Sequence, residues 1–302
     1  MKKIYLDDKT IKLNILGIKI SIRLNKFSAK KQGKLLKIEN KFKTLDLLLK
    51  TDKSIVRYGD GEFALINGHN LQFQDWDSDL STRLKEILVS NDSRVLVGIP
   101  DVFASLSHFN RHAAKYWKKY IFYNWVKIYK NLDLDKQYYD SMISRPYMDA
   151  KDRTYCQKYF QDFRKLWDKK DIVIVEGVAS RLGYNNDLFS NCNSINRILC
   201  PAKNAYKNYG KIFEFCQTLP KDKLFILALG PMATVLAYDL ARLGYRALDL
   251  GHIDIEYEWF LKQAIKKIPI KNKFVNEVEN GRVVTQLNDM NYINEIIAQF
   301  ED

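Results

Sequence analysis

Short, continuously apolar stretches separated by amphipathic runs dominate the chain after Thr51. Ile172-Val173-Ile174-Val175 and Leu224-Phe225-Ile226-Leu227-Ala228-Leu229 show no polar alternation, which suits strands covered on both faces. The pattern predicts strands at Ser54–Tyr58, Arg94–Ile99, Asp171–Glu176, Ser194–Cys200, Lys223–Leu229 and Arg246–Leu250. Helical spacing predicts helices over Ser78–Val89, Phe103–Lys130, Arg153–Trp167, Lys203–Gln217, Met232–Leu243 and Glu256–Lys267. Alternating β and α elements imply an α/β fold with a mostly parallel sheet and helices on both faces. Ligands of such sheets sit outside the carboxyl ends of the strands.

Before Thr51 the pattern differs. Apolar residues alternate from Ile11 to Leu24 with a phase break at Leu16-Gly17, as in two short strands joined by a turn. From Lys30 to Lys50 they recur at roughly helical spacing among many lysines.

Charge divides the chain at the same place. Net charge is +13, and residues 1–50 hold 14 Lys/Arg against 4 Asp/Glu, while the other 252 hold 35 against 32. We therefore read 1–50 as a basic N-terminal appendage and 51–302 as the main domain. The appendage is expected either to dock on an anionic membrane surface or a partner, or to form an edge hairpin and a solvated helix. A nucleic-acid enzyme usually carries its positive field on the body that holds the groove, so no nucleic-acid partner is expected.

The 16 Phe, 18 Tyr and 5 Trp exclude disorder as the main state. No run approaches the ~20 apolar residues of a spanning helix, and Asp7 and Asp8 stand where a signal peptide needs its apolar stretch. The four cysteines form no CxxC pair, so a cytoplasmic protein with reduced thiols is expected, with peripheral contact at the inner face of the membrane through the arm.

Candidate chemistry follows the strands. Arg57-Tyr58-Gly59-Asp60-Gly61-Glu62 follows the first; in extended chain Asp60 and Glu62 would share a face about 7 Å apart and aim at one Mg²⁺ or Mn²⁺. A plain Gly-Asp-Gly turn is the alternative. The third strand leads into Glu176-Gly177-Val178-Ala179-Ser180-Arg181, where Arg181 suits phosphate oxygens or staples a loop, and then into Asn185-Asn186-Asp187. Gly230-Pro231 after the fifth opens a helix, giving either an anion site or a tight βα turn. The sixth leads into His252, Asp254, Glu256 and Glu258, the most polar concentration in the body, with Asp254 and Glu258 one helical turn apart. Two strings are set aside. His108 and His112 have the spacing of a zinc helix but lack the HExxH glutamate. Asp75-Trp76-Asp77 and Asp77-Ser78-Asp79 read more simply as a helix cap.

Several of these segments together resemble the bacterial GT-D-type glycosyltransferases. They are Arg57-Tyr58-Gly59-Asp60-Gly61-Glu62-Phe63, Phe73-Gln74, Glu176-Gly177 with Ser180-Arg181-Leu182-Gly183, Asn186-Asp187-Leu188-Phe189, Cys200-Pro201, Leu229-Gly230-Pro231 and Gly251 through Trp259. The resemblance covers residues 42–270 in order. It implies a Rossmann-like domain, a UDP-sugar donor (glucose above all), Mn²⁺ or Mg²⁺, and a surface glycan or glycoprotein as acceptor. The family's Asp-x-Glu element falls on Asp60 and Glu62, expected to hold the metal. Its His and downstream Glu fall on His252 and Glu258, with Glu258 expected as the general base, Asp254 second, and His252 orienting donor or base. Arg57, Gly59, Gly61, Ser180, Arg181, Asn186, Gly230 and Pro231 are the expected donor-binding positions. Two rivals stay open: another Rossmann-like nucleotide-dependent transferase, although GxxxxGK[ST] is absent, and a non-enzymatic RNA-binding or scaffold protein using the basic arm.

Overall fold

The structure, a computed structural model, describes residues 36–301 and, ahead of them, the backbone of 3–7, 10–15 and 18–23. The expected turn at Leu16-Gly17, the start of the Lys30–Lys50 helix and the docking chemistry of the arm's side chains lie outside the described residues. The alternating segment forms β2 (Thr10–Ile15) and β3 (Ile18–Arg23), joined by β1 (Lys3–Asp7) in an antiparallel three-stranded sheet.

Among the described residues the main sheet has nine strands. In chain order the elements are β4 (Lys37–Glu39), α1 (Lys41–Lys50), β5 (Ser54–Arg57), α2 (Asp60–Ile66), α3 (Ser78–Val89), β6 (Val95–Ile99), α4 (Arg111–Tyr129), β7 (Gln137–Asp140), α5 (Cys156–Arg164), β8 (Asp171–Gly177) and β9 (Ser194–Cys200). They continue with α6 (Tyr209–Gln217), β10 (Leu224–Ala228), α7 (Pro231–Arg242), β11 (Arg246–Asp249), α8 (Ile253–Leu261), α9 (Met290–Asn294) and β12 (Ile296–Gln299). Strand order is β12-β9-β8-β10-β11-β5-β6-β7-β4, with every neighbouring pair parallel. The expected parallel α/β architecture is borne out.

Continuously apolar strands are needed because the two-residue period divides each between two cores. Val56, Val97, Val173, Val175, Phe225 and Leu227 face one, under α3 and α7. Ile55, Leu96, Ile172, Ile174, Leu224, Ile226 and Leu248 face the other, with α1, α5 and α8. Leu45 and Leu48 of α1 are buried there and β4 pairs with β7, so residues 37–50 belong to the sheet body rather than to an appendage. Helix α3 starts where Asp77 accepts from the Leu80 N–H at 2.9 Å, the cap expected of it. Asp75 is held by Asn204 and Asp79 by Tyr206, so no carboxylate pair is left for a DxD role. Helix α4 starts at Arg111, later than predicted, because Asn110 caps it by accepting from Ala113; His108 therefore lies outside the helix that carries His112.

Strands β5 to β7 run outward on one side of the sheet and β8 to β9 on the other, with β10 and β11 filling the space between β8 and β5. The chain thus leaves β5 and β8 in opposite directions, which opens a crevice over their carboxyl ends.

Candidate active site

A cavity of about 500 Å³ occupies that crevice. Of the expected site residues, Arg57, Gly59, Asp60, Gly61, Glu62, Ser180, Gly230, His252 and Asp254 line it. Arg181, Asn186, Pro231 and Glu258 do not.

The turn from β5 into α2 is built by pairing with β11. Arg57 donates from Nε to the Asp249 carbonyl at 2.7 Å, from Nη2 to Asp249 Oδ1 at 3.0 Å, and from Nη1 to the Ser141 carbonyl at 3.2 Å. Three of its five N–H groups are engaged, and the guanidinium is fixed at the cavity wall. Gly251, with φ +45°, leaves room for it: a Cβ there would strike Arg57 Nη2. Burial raises Asp249's pKa, and Arg57 pulls it back.

Asp60 and Glu62 do not share a face. They occupy the first turn of α2, where positions two apart point about 200° away from each other. Asp60 is exposed, and its carboxylate accepts from the Tyr116 hydroxyl. Glu62 turns back to accept the Gly59 N–H at 2.7 Å, and burial lifts its pKa to about 7. Among the described residues no three His, Cys, Asp or Glu converge as a metal cage. A Mg²⁺ or Mn²⁺ sharing its shell with phosphate oxygens and water needs only one or two protein carboxylates, a demand Asp60 fits and Glu62 meets less well.

Helix α8 corrects the expected base. Its Asp254 and Glu258 do meet on one face, but that face is buried against Lys273, whose Nζ donates to Asp254 Oδ2 at 2.7 Å and Glu258 Oε1 at 3.1 Å. Asn186 donates to both carboxylates, and the Gly183 N–H donates to Asp254. Burial alone would raise Glu258's pKa, but Lys273, Asn186 and Lys262 hold it below the usual range. This is a satisfied ion network behind the cavity wall. Glu258 does not line the cavity, and Asp254, which does, already accepts from Lys273, Asn186 and the Gly183 N–H.

Arg181 is corrected too. Its guanidinium donates to the carbonyls of Asn272 and Thr285 at 3.0 and 2.7 Å, clasping the C-terminal segment instead of phosphate. Gly230, with φ +55°, lies against Phe73 and begins α7; no side chain caps that helix, and Pro231 occupies its first turn. The N–H groups there remain suited to an anion.

Four charged residues of the cavity wall carry no signal in the sequence. Arg145 pairs with Glu277 at 2.6 Å, Lys267 reaches the same carboxylate, and Lys267 lies 3.7 Å from Asp149. No local pattern joins Arg145 to Glu277, which are 132 residues apart. Although burial opposes ionisation, the Arg145 and Lys267 charges hold Glu277 far below the usual carboxylate range. His252 begins α8 with Nε2 3.5 Å from Glu277 Oε1, and burial followed by the Arg145 charge pushes its pKa down to about 3. The imidazole is neutral at pH 7, a hydrogen-bonding group rather than a cation. Unfolding restores a value near 6.5, so this His contributes stability above pH 6.5 that is lost as pH falls toward 3. Its ring resonances should stay flat from pH 8 to about pH 5; a midpoint near 6.5 in the folded protein would contradict this environment.

A parallel sheet with a cation-bearing cavity at its switch point defines a Rossmann-like α/β enzyme. The chain belongs to the GT-D glycosyltransferases: residues 55–278 match the family described as "Glycosyltransferase GT-D fold". It is 39% identical over 256 residues to the probable glycosyl transferase Gly of Streptococcus gordonii, covering 84% of this chain and 37% of that protein. To the glycosyltransferase GlyD of Streptococcus pneumoniae it is 34% identical over 258 residues, 85% of this chain and 31% of that one. It thus spans about a third of the length of these relatives. A solved structure described as a new glycosyltransferase (DUF1792) from Streptococcus sanguinis superposes with TM-score 0.85 at 38% identity, covering 88% of this chain and 100% of the other. Another, described as domain of unknown function 1792 with a distinct glycosyltransferase fold, gives 0.84 at 36%, covering 91% and 99%.

Proposed function

We propose that this chain transfers a hexose, glucose first among those to test, from a UDP-sugar to a bacterial surface glycan or glycoprotein acceptor. The observation that carries the reading is one cavity in which Arg57, Arg145 and Lys267 meet the uncapped start of α7 and the exposed Asp60 carboxylate. A departing diphosphate needs fixed positive potential in place of water, an arrangement worth several kcal/mol. Arg57 supplies donors whose geometry is set before the ligand arrives, because Asp249 and Ser141 hold it. Neutral His252 offers a hydrogen bond without adding charge. Mn²⁺ or Mg²⁺ held at Asp60, with Glu62 shaping the turn, would supply Lewis-acid neutralisation of the diphosphate.

Proton removal from the acceptor hydroxyl falls to a carboxylate on the cavity wall. Asp249 is paired with Arg57, Glu62 is turned onto the Gly59 N–H, Asp254 and Glu277 are consumed by lysine and arginine, and Asp60 is given to the metal, so we assign the base to Asp149, partly exposed with Lys267 3.7 Å away. Four free cysteines accord with a cytoplasmic setting. Among the described residues no helix is long and apolar enough to cross a membrane.

The test is UDP release from a panel of nucleotide sugars with Mn²⁺ and with EDTA, run on wild type and Asp149→Asn. Metal-dependent release from a UDP-hexose is expected, with transfer to acceptor about 10²–10⁴-fold slower in the variant. Release from no nucleotide sugar would end the glycosyltransfer reading of this cavity, and unchanged transfer by Asp149→Asn would end the base assignment.

A further inference from the structure

Helix α4 contains no acidic residue and five Lys/Arg, while the rest of residues 37–302 holds 34 basic and 34 acidic. The positive charge of the sheet body is therefore gathered on this single helix. The helix is also under-buried. Ala113, Trp117 and Ile128 are its only buried residues, the first two resting on a small satellite cluster with Val102, Phe109 and Met142.

Its outward side is a continuous stripe. Lys115, Tyr116, Lys119, Tyr123, Val126 and Lys127 recur at three- and four-residue spacing, Lys130 follows at the helix end, and all are exposed. Tyr116, Tyr123 and Val126 are 47%, 66% and 57% exposed, unusual for three large apolar groups on one face. Lys127 Nζ lies 3.4 Å from His69 Nε2, and Tyr116 donates to Asp60. At its N-terminal end the stripe reaches the active-site mouth, where His112 and Tyr116 line the cavity.

We propose that this stripe docks the protein on an anionic phospholipid bilayer. Lysines interleaved with tyrosines and an aliphatic side chain match a helix lying in the headgroup plane. The lysines meet lipid phosphates, the aromatic rings sit at the interface, and the valine enters the acyl boundary. A soluble polyanion would use the lysines and leave Val126 and Tyr123 in water. A protein partner would need a broader apolar area than three side chains supply. Docking in this orientation holds the cavity mouth beside the lipid headgroups.

Flotation of the full chain with vesicles of phosphatidylcholine, or of phosphatidylcholine and phosphatidylglycerol in equal parts, tests the proposal. Wild type should float with the anionic vesicles and not with the neutral ones. Lys115→Glu combined with Lys119→Glu should weaken partition about 30-fold or more at low salt. Tyr123→Ser combined with Val126→Ser should weaken it about tenfold at physiological salt, where lysine attraction is partly screened. All four positions are exposed, so melting temperatures should match wild type; in a double variant that melts earlier, Lys119→Glu or Tyr123→Ser alone serves, with a smaller expected loss. Wild-type partition by either double variant would overturn the proposal and assign vesicle binding to the N-terminal arm. Equal binding to neutral vesicles, or capture by heparin without flotation, would overturn it as well. None of these readouts depends on donor or transfer, so they stand apart from the outcome of the nucleotide-sugar assay.

Discussion

Asp60→Asn should lower sugar transfer by about 10²–10⁴-fold, the range set by several kcal/mol of charge stabilisation at the leaving group. The side chain is exposed and accepts from the Tyr116 hydroxyl, so the fold loses little and melting should stay near wild type. Glu258→Gln should behave in the opposite way, because it removes a charge from the buried network around Lys273 while leaving the cavity wall in place. Melting should fall and transfer by the remaining folded enzyme should persist. Steady-state kinetics beside calorimetric titration of UDP, with and without Mn²⁺, separates the two positions. Unchanged transfer by Asp60→Asn in the presence of EDTA would remove the metal assignment, and a collapse of turnover in a fully folded Glu258→Gln would return the base to α8.

Lys273→Met carries the largest expected cost in stability, about 3–5 kcal/mol, the usual result of breaking a buried ion pair from one side. Lys273, Asp254 and Glu258 are all at most 5% exposed by side chain, so the variant leaves Asp254 without a counterion and Glu258 with only the half-exposed Lys262 at its other oxygen. The pH dependence identifies the cause. In wild type Glu258's pKa is held down, so its contribution is present above the unfolded value and is lost as pH falls through the folded one. Without Lys273 burial dominates and the carboxyl pKa rises. The deficit of the variant relative to wild type should therefore shrink as pH is lowered from 7 toward 4, measured by urea unfolding at each pH. A deficit independent of pH would show that lost packing, not unpaired charge, is responsible.

The central strands were legible because burial on both faces writes a continuous apolar run, as in Ile172–Val175. The edge strands were not. Lys37–Glu39 and Ile296–Gln299 are short and half polar, since only one neighbour and part of one face cover them, and Gln137–Asp140, beside the first of them, is as short and mixed. In the site, sequence proximity misled where side-chain direction decides. Asp60 and Glu62 were near each other as expected, yet helical geometry turns one outward and the other onto Gly59. Asp254 and Glu258 shared a face as expected, but the sequence gives no sign that Lys273 covers it. Arg145 and Asp149 come from the loop before α5 and Lys267 and Glu277 from the one after α8, and each alone reads as an ordinary surface charge.

The order β8-β10-β11-β5 has a consequence for biosynthesis. The two strands at the middle of the sheet, residues 224–249, leave the ribosome after β4 to β9, so the growing chain first holds two partial sheets, β8-β9 and β5-β6-β7-β4, each with a bare inner edge. Val56, Ile174 and their neighbours along β5 and β8 have no partner on that side until β10 and β11 arrive. An unpaired parallel edge of this kind is a template for pairing with another chain. Nascent chains stalled before residue 224 should be the aggregation-prone species, and release from that hazard comes when α7 closes over β11 and joins the two halves.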